Sequence, residues 1–261
     1  NLLSGNLIDV EIDLSRGLHS FSIVGLPDKA TEEAKDRVSA AIKNSGFTSP
    51  KQRNQKIVIA LAPAEIKKEG SGFDVAMAVG YLMATEELEG DISKTIFMGE
   101  LSLDGILRPV RGMISIVRIA RDNGFKEIIV PFENRIEAAL IEGINILPAR
   151  TFADVINHVQ GEKIIPHPTT PIEDNPEDGE ITFDDIVGQE SAKRALTIAA
   201  AGKHNIGLFG PPGTGKTMLA KAFKGILPPL SHEEILETTS IHSISGILKK
   251  PYLTEAPFRS P

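Results

Sequence analysis

The chain has 261 residues, of which 41% are hydrophobic, enough for two domains of ordinary size that each bury a core. It contains no cysteine, which excludes disulfides, thiolate metal sites and a cysteine nucleophile, and a reducing compartment, the cytoplasm, is expected. A formal net charge of −7 gives the whole chain no general attraction for nucleic acid or anionic membranes. No apolar run approaches the roughly 20 residues that cross a bilayer, and the first residues lack a signal-peptide pattern, so no membrane partner is expected.

An acidic, proline-rich stretch divides the chain. Between Lys163 and Lys193 there is no lysine or arginine, whereas prolines alternate with aspartate and glutamate. Proline denies the backbone helical hydrogen bonds and like charges repel, so this stretch cannot fold by itself. The sequence therefore predicts an N-terminal domain at 1–162, a linker at 163–181 and a C-terminal domain at 182–261.

Strand and helix patterns alternate before the linker. Residues 7–14 alternate apolar and acidic side chains, which predicts a half-buried strand, and residues 21–24 are predicted to be its partner. The other predicted elements are a helix over 28–45 closed by Gly46, a strand over 56–61, an apolar helix over 73–83 entered through 70–72, a strand over 95–98, a turn at 104–105, a helix over 113–123, a strand over 127–130, a helix over 135–141 and a strand over 144–147. This order indicates an α+β or α/β sandwich, of which we favour the α/β class.

Helical patterns dominate after the linker. A helix is predicted over 190–201 and closed by Gly202, and a short buried strand over 206–209 leads to a further helix that begins near Thr217. Ser231 and Glu234 have the spacing of a capping box, which predicts a helix running to about Thr239.

The segment Gly210-Pro-Pro-Gly-Thr-Gly-Lys-Thr217 is the most specific chemical motif in the chain. A phosphate-binding loop wraps backbone N–H groups around phosphate oxygens, which requires glycines followed by a helix N-terminus. Lys216 supplies positive charge for the phosphates, and Thr217 a hydroxyl for Mg²⁺. The predicted nucleotide-binding residues are Gly210, Pro211, Pro212, Gly213, Thr214, Gly215, Lys216, Thr217 and Met218. ATP or ADP with Mg²⁺ is the expected ligand, and a vestigial loop is the alternative.

The segment Phe183-Asp-Asp-Ile-Val-Gly-Gln-Glu190 stands about 20 residues before this loop. It resembles the box with which AAA+ ATPases open and which lines their adenine pocket. The resemblance makes Ile186, Val187 and Gly188 candidates for the adenine pocket. The alternative is a simple lead into a capped helix.

Three further segments carry a family resemblance. They are residues 21–28 (FSIVGLPD), 61–74 (LAPAEIKKEGSGFD) and 254–261 (TEAPFRSP). Together with the phosphate loop, in this order, they resemble the ComM/YifB family of magnesium-chelatase-related proteins. The resemblance implies a Lon-protease-like N-terminal domain joined to an AAA+ motor that works as a hexameric DNA branch-migration helicase in bacterial transformation.

The N-terminal part also resembles the Lon peptidase domain directly, through residues 98–112 and 124–134. Lon chemistry needs a serine nucleophile and a lysine base. The resemblance places the serine position on Gly72 and the lysine position on Ile114, so no peptidase activity is expected. A slip of one residue would offer Ser71 as the nucleophile.

The C-terminal part lacks a recognisable Walker B acid, the carboxylate that handles Mg²⁺ and water in P-loop ATPases. The sequence therefore predicts a fragment that ends before Walker B and holds no complete catalytic set. Two rivals to the helicase interpretation are a chelatase-type ATPase that remodels a protein partner and a non-catalytic nucleotide-gated module. Basic residues between Lys51 and Lys68 are interpreted as solvated side chains rather than a DNA site.

Overall fold

The computed structural model describes residues 5–172 and 181–257. Contacts divide the chain into two compact units, one up to Pro171 together with Ser240–Pro251, and the other from Ile172 to Thr239 together with the residues from Tyr252 onward. The predictions for the chain start, for the middle of the linker and for the end of the 254–261 segment lie outside the described residues. No helix in the described ranges combines the length and apolar character needed to cross a membrane.

The first unit is built from short strands and helices in alternation. Its elements in chain order are β1 (Asp9–Arg16), β2 (Ser20–Val24), α1 (Lys29–Glu32), α2 (Ala34–Asn44), β3 (Gln55–Ala62), α3 (Asp74–Ala84), β4 (Thr95–Phe97), β5 (Glu100–Leu101), β6 (Leu107–Arg108), α4 (Met113–Asp122), β7 (Glu127–Pro131), α5 (Arg135–Ala138), β8 (Asn145–Ala149) and α6 (Phe152–Val159). The later helices are α7 (Glu190–Ala201), α8 (Lys216–Lys224) and α9 (His232–Ile244). The predicted α/β fold class is confirmed.

The first sheet has the order β1-β3-β2. Strand β3 pairs antiparallel with β1 and parallel with β2. The expectation that residues 21–24 pair with the first strand is therefore wrong. The physical reason lies in β3, whose Ile57 and Ile59 are fully buried, whereas β1 carries acidic residues at alternate positions and suits an edge.

The second sheet has the order β4-β7-β8, with all strands parallel. Its central strand buries Ile128, Ile129 and Val130 completely, as expected for a strand covered on both faces. Helix α5 is shorter than predicted, and α6 was missed although its capping box, Thr151 with Asp154, is a readable start signal.

Helix prediction succeeded in the later part of the chain, but strand prediction did not. The bounds of α7 are those predicted, and the Ser231–Glu234 capping box forms, although α9 extends beyond Thr239. The expected strand over 206–209 is wrong, because these residues have no regular structure and Phe209 is 98% exposed. A strand requires a neighbour for its ladder of hydrogen bonds, and no described strand lies in that part of the chain.

A buried ion pair fixes the start of α3. Asp74 accepts hydrogen bonds from Arg37 at 2.7 and 3.0 Å and from the Leu101 backbone N–H at 3.0 Å. Burial raises the pKa of Asp74 even though the Arg37 guanidinium works in the opposite direction. The side chain of Arg37 also donates to the Ala30 carbonyl, so one carboxylate connects α1, α2, α3 and β5.

We predict that Arg37→Met destabilises the first unit by about 3 kcal/mol, because it leaves a buried carboxylate without its partner. Lys51→Met is the matched control, since it removes an ion pair with Asp36 whose side chains are 57% and 59% exposed. That loss should stay below about 1 kcal/mol. Hydrogen exchange of the buried α3 amides measures both effects, and equal losses in the two variants would contradict this view of Asp74.

Candidate functional site

The phosphate loop leads directly into α8. Gly213 and Gly215 both have φ of 80°, in the left-handed region that glycine adopts without strain, and a Cβ on either would meet nothing within 4 Å. Gly215 is the N-cap, and its carbonyl accepts the Leu219 N–H at 2.9 Å as the helix begins. The loop therefore ends at the N-terminus of α8, and no neighbouring atom crowds the Cα of Gly213 or Gly215.

Lys216 folds back over this loop. Its Nζ donates to the carbonyls of Gly210 at 2.9 Å and Pro211 at 2.6 Å, and it lies 3.3 Å from Thr214 Oγ1. The Thr214 hydroxyl itself donates to the Pro211 carbonyl at 2.9 Å. The ammonium group is thus held at the loop by acceptors that a phosphate oxygen would replace, which fits the role predicted for Lys216.

The remaining loop positions are open to solvent. Pro211, Pro212, Thr217 and Met218 are exposed, and Thr217 lies in the first turn of α8. Within the described ranges no group of three or more histidine, aspartate or glutamate side chains could hold a metal ion. If the loop holds a nucleotide with Mg²⁺, the Thr217 hydroxyl has the chemistry to bind the metal beside the phosphates.

The proposed adenine residues have unequal surroundings. Ile186 is buried in a small apolar core with Leu196 of α7 and Leu219 of α8, whereas Val187 is 96% exposed. Gly188 has φ of 72°, and the Lys193 ammonium donates to the Ile186 carbonyl at 2.6 Å. Ile186 therefore connects this segment to α8, the helix that follows the phosphate loop. The side chain of Val187 is accessible to a ligand.

The two N-terminal family segments, 21–28 and 61–74, lie side by side. The N–H of Asp28 donates to the Lys68 carbonyl at 2.9 Å, and the N–H of Lys68 donates to the Leu26 carbonyl at 3.0 Å. Gly25 has φ of 103° and approaches the Leu61 carbonyl so closely that a Cβ would clash with it. These contacts give a packing reason for the residues that carry the resemblance.

The Asp28 carboxylate caps this arrangement. It accepts from the backbone N–H groups of Thr31 at 2.8 Å and Gly70 at 2.9 Å. Burial works to raise the pKa of Asp28, but hydrogen bonds from Gly70 and Thr31 outweigh it and the pKa is lowered. The turn at 70–72 is thus held by an ionised carboxylate.

The two positions that the Lon resemblance assigns to the nucleophile and the base, Gly72 and Ile114, are closely surrounded or buried. A Cβ on Gly72 would lie 3.0 Å from Met98 Cε and 3.3 Å from Val110 Cγ1, and Ile114 is fully buried. Ser71 donates its hydroxyl to the Glu100 carboxylate rather than to a lysine. Lys68 is 1% exposed, and its ammonium is bonded to the Pro63 carbonyl.

Three of the five basic residues between Lys51 and Lys68 form ion pairs. Lys51 pairs with Asp36 at 2.7 Å and Lys67 pairs with Glu69 at 2.7 Å. Arg53 pairs with Glu87 in the same way. Lys68 is buried, and Lys56 is exposed.

Comparisons with known proteins agree with this organisation. Residues 10–134 match the family model described as subunit ChlI of Mg-chelatase, and residues 182–261 match the one described as magnesium chelatase, subunit ChlI. The chain is 41% identical over 261 residues to competence protein ComM of Haemophilus influenzae, which covers 98% of this chain and 50% of ComM. It is 41% identical over 257 residues to the uncharacterized protein YifB of Escherichia coli, which covers 97% of this chain and 50% of YifB.

Similarity to Lon is weaker and shorter. Lon protease 2 of Bacillus subtilis is 28% identical over 174 residues, which cover 60% of this chain and 30% of the relative. A Lon-like α/β domain followed along the chain by a P-loop and its helix defines a magnesium-chelatase-related protein of the AAA+ type. The chain belongs to the ComM/YifB family of these proteins and spans about half the length of those two relatives.

Proposed function

We propose that this chain binds ATP or ADP with Mg²⁺ through the loop Gly210–Thr217, and that the complete protein couples ATP hydrolysis to movement of DNA. The observation that carries nucleotide binding is the Lys216 ammonium, held 2.6 to 3.3 Å from three oxygens of its own loop at the N-terminus of α8. Backbone N–H groups at such a terminus and a nearby cation together favour a phosphate.

The residue roles follow from chemistry and position. Gly213 and Gly215 let the backbone approach the phosphates, Lys216 neutralises their charge, and Thr217 offers its hydroxyl to Mg²⁺. Met218 follows in the first turn of α8, and Ile186, Val187 and Gly188 are proposed to border the adenine ring. Magnesium supplies charge neutralisation at the phosphates when it is bound.

We predict that Lys216→Ala weakens ADP binding by about 2 kcal/mol or more, because charge-assisted hydrogen bonds to phosphate are lost. The matched control is Lys221→Ala, which removes an exposed lysine five residues further along α8. Calorimetric titration with ADP and Mg²⁺ should show that only the first variant has lost affinity. Equal affinities for wild type and Lys216→Ala would refute the assignment.

The proposal that DNA is the partner rests on the family. The relative from Haemophilus influenzae is named a competence protein. The ComM/YifB resemblance implies that a hexameric ring moves DNA. The principal rival is an ATPase that remodels a protein partner, which the chelatase relationship favours. The second rival is a nucleotide-gated module that does not catalyse hydrolysis.

We predict that a four-way DNA junction accelerates ATP hydrolysis by the full-length protein, and that this acceleration falls steeply as salt rises, since phosphate contacts release counterions. Phosphate release measured with and without the junction, over a salt series, tests this. A rate that responds to a protein partner and ignores DNA would favour remodelling. No ATP hydrolysis by the full-length protein under either condition would favour the non-catalytic module.

We further propose that the N-terminal unit has no serine-lysine peptidase activity. Gly72 and Ile114 occupy the two catalytic positions, and the Ser71 hydroxyl is engaged by the Glu100 carboxylate. Purified protein should therefore leave casein intact. Casein cleavage that disappears in Ser71→Ala and persists in Ser93→Ala, an exposed serine elsewhere, would overturn this proposal.

A further inference from the structure

Two arginines of the first unit, Arg135 and Arg150, stack on the ring of Phe132. The central guanidinium carbon of Arg135 lies 3.8 Å from the ring centroid, and that of Arg150 lies 3.3 Å from it. One face of a phenyl ring has no room for two guanidinium groups at such distances, so they lie on opposite faces. We call these two residues the arginine pair, and the separation of their charges does not exceed the sum of the two distances.

The second sheet brings the three residues together. Pro131 ends β7 and Ala149 ends β8, and these two residues are partners in the parallel register. Phe132 and Arg150 directly follow them in the chain. Arg135 lies one turn beyond Phe132, and its guanidinium donates to the Phe132 carbonyl at 2.8 Å. The cluster therefore lies at the carboxyl ends of parallel strands, outside which open α/β sheets bind their ligands.

Neither arginine has a carboxylate partner among the residues that the structure describes. Glu133 is exposed next to Phe132 but forms no ion pair with either of them. The Asp154 carboxylate accepts the backbone N–H groups of Arg150 and Thr151, both at 2.9 Å. A guanidinium has five N–H donors. In the described part of the chain Arg135 uses one of them and Arg150 none, so most donors of the pair are available to a ligand.

The positive charge acts on its surroundings. The pKa of His167 is lowered by burial and, to a lesser extent, by the charge of Arg135. Arginine stays protonated at every pH at which proteins are studied, so the two charges of the pair persist and repel each other. A bound anion would relieve this repulsion.

The geometry of the pair favours phosphate groups on a backbone. The planar fork of a guanidinium matches two oxygens of a phosphate. Because both faces of the Phe132 ring are covered by guanidinium groups, no face of this ring is left for a base to stack on. A nucleic acid would therefore be held here through its phosphates, which give affinity without sequence preference.

We propose that the arginine pair on Phe132 binds the phosphate backbone of DNA, so that the first unit makes a DNA contact of its own. This inference rests on the proposed function, in which DNA is the partner of the complete protein. The contact adds affinity and salt dependence, and it does not read bases.

The first test compares the full-length wild-type protein with Arg135→Gln/Arg150→Gln. Fluorescence anisotropy of a short fluorescein-labelled DNA duplex measures affinity over a salt series. We expect the variant to bind at least about tenfold more weakly, because charge-assisted contacts are lost. The slope of log affinity against log salt concentration should fall by about 2, one for each lost phosphate contact. The matched control, Lys43→Gln/Lys94→Gln, removes the same charge at exposed residues of the same unit and should stay within about twofold.

A second variant separates charge from structure. Arg135→Lys/Arg150→Lys keeps both charges and loses the planar forks. We expect it to bind DNA more tightly than the glutamine variant and to recover most of the salt dependence. A purely structural role of the two arginines would not produce this recovery. Hydrogen exchange of the buried β7 amides checks that each variant retains its fold.

Chemical modification tests whether the pair is accessible. Phenylglyoxal modifies accessible arginines, so Arg135 and Arg150 should both react in the full-length protein without DNA and be protected when the duplex is bound. Protection in the absence of DNA would overturn the proposal, by showing that another part of the protein already covers the pair.

The outcomes separate this proposal from the proposed function. Equal DNA affinities and salt slopes for wild type and the glutamine variant would overturn the proposal and leave the proposed function intact. A wild-type protein that binds no DNA would contradict both. A polyglutamate peptide that binds more tightly than the duplex, and loses its affinity in the glutamine variant, would also overturn the proposal by assigning the pair to an acidic peptide.

Discussion

The carboxylate of Asp74 is the interaction on which the first unit depends. It is buried at the first residue of α3, and three donors from α2 and β5 converge on it. Because a buried charge is costly unless it is fully paired, the positions of these elements are coupled to one another. The neighbouring turn at 70–72 is held by a second carboxylate, Asp28, which accepts the Gly70 N–H.

The nucleotide site depends on a backbone constraint instead. Gly213 and Gly215 adopt left-handed conformations that other residues reach only with strain. The chain then enters α8, and the first N–H groups of a helix have no partner within the helix. Packing of Leu219 against Ile186 and Leu196 holds that helix. Loop shape, helix terminus and lysine charge therefore all favour the same ligand chemistry, a phosphate group, as the proposed nucleotide site requires.

Local patterns predicted local structure well. The bounds of α7 and the capping box at Ser231 depend on residues within a few positions of one another, and the sequence contains them all. The glycines and the lysine of the phosphate loop are readable for the same reason, and the structure gives them suitable geometry. The assignment of these residues to nucleotide, and of Val187 and Gly188 to adenine, stays a prediction.

Pairing between distant segments was less readable. Strand β3 lies between β1 and β2 because it has the most apolar surface to bury. Pairing each strand with its neighbour in the sequence does not take this burial into account. Residues 206–209 are apolar enough for a strand, but a strand forms only with a partner. The burial of Lys68 could not be predicted from the sequence either. The hydrogen-bond partner of its ammonium group is a backbone carbonyl, and a pattern of side chains gives no information about such a partner.

Hydrogen exchange with and without ADP and Mg²⁺ tests the central claim most directly, because it reports where the ligand contacts the backbone. The account predicts slower exchange in fragments that cover residues 213–218, no change in fragments from β1 and β8, and loss of the protection in Lys216→Ala. Unchanged exchange at the phosphate loop under saturating nucleotide, or protection confined to other segments, would contradict it.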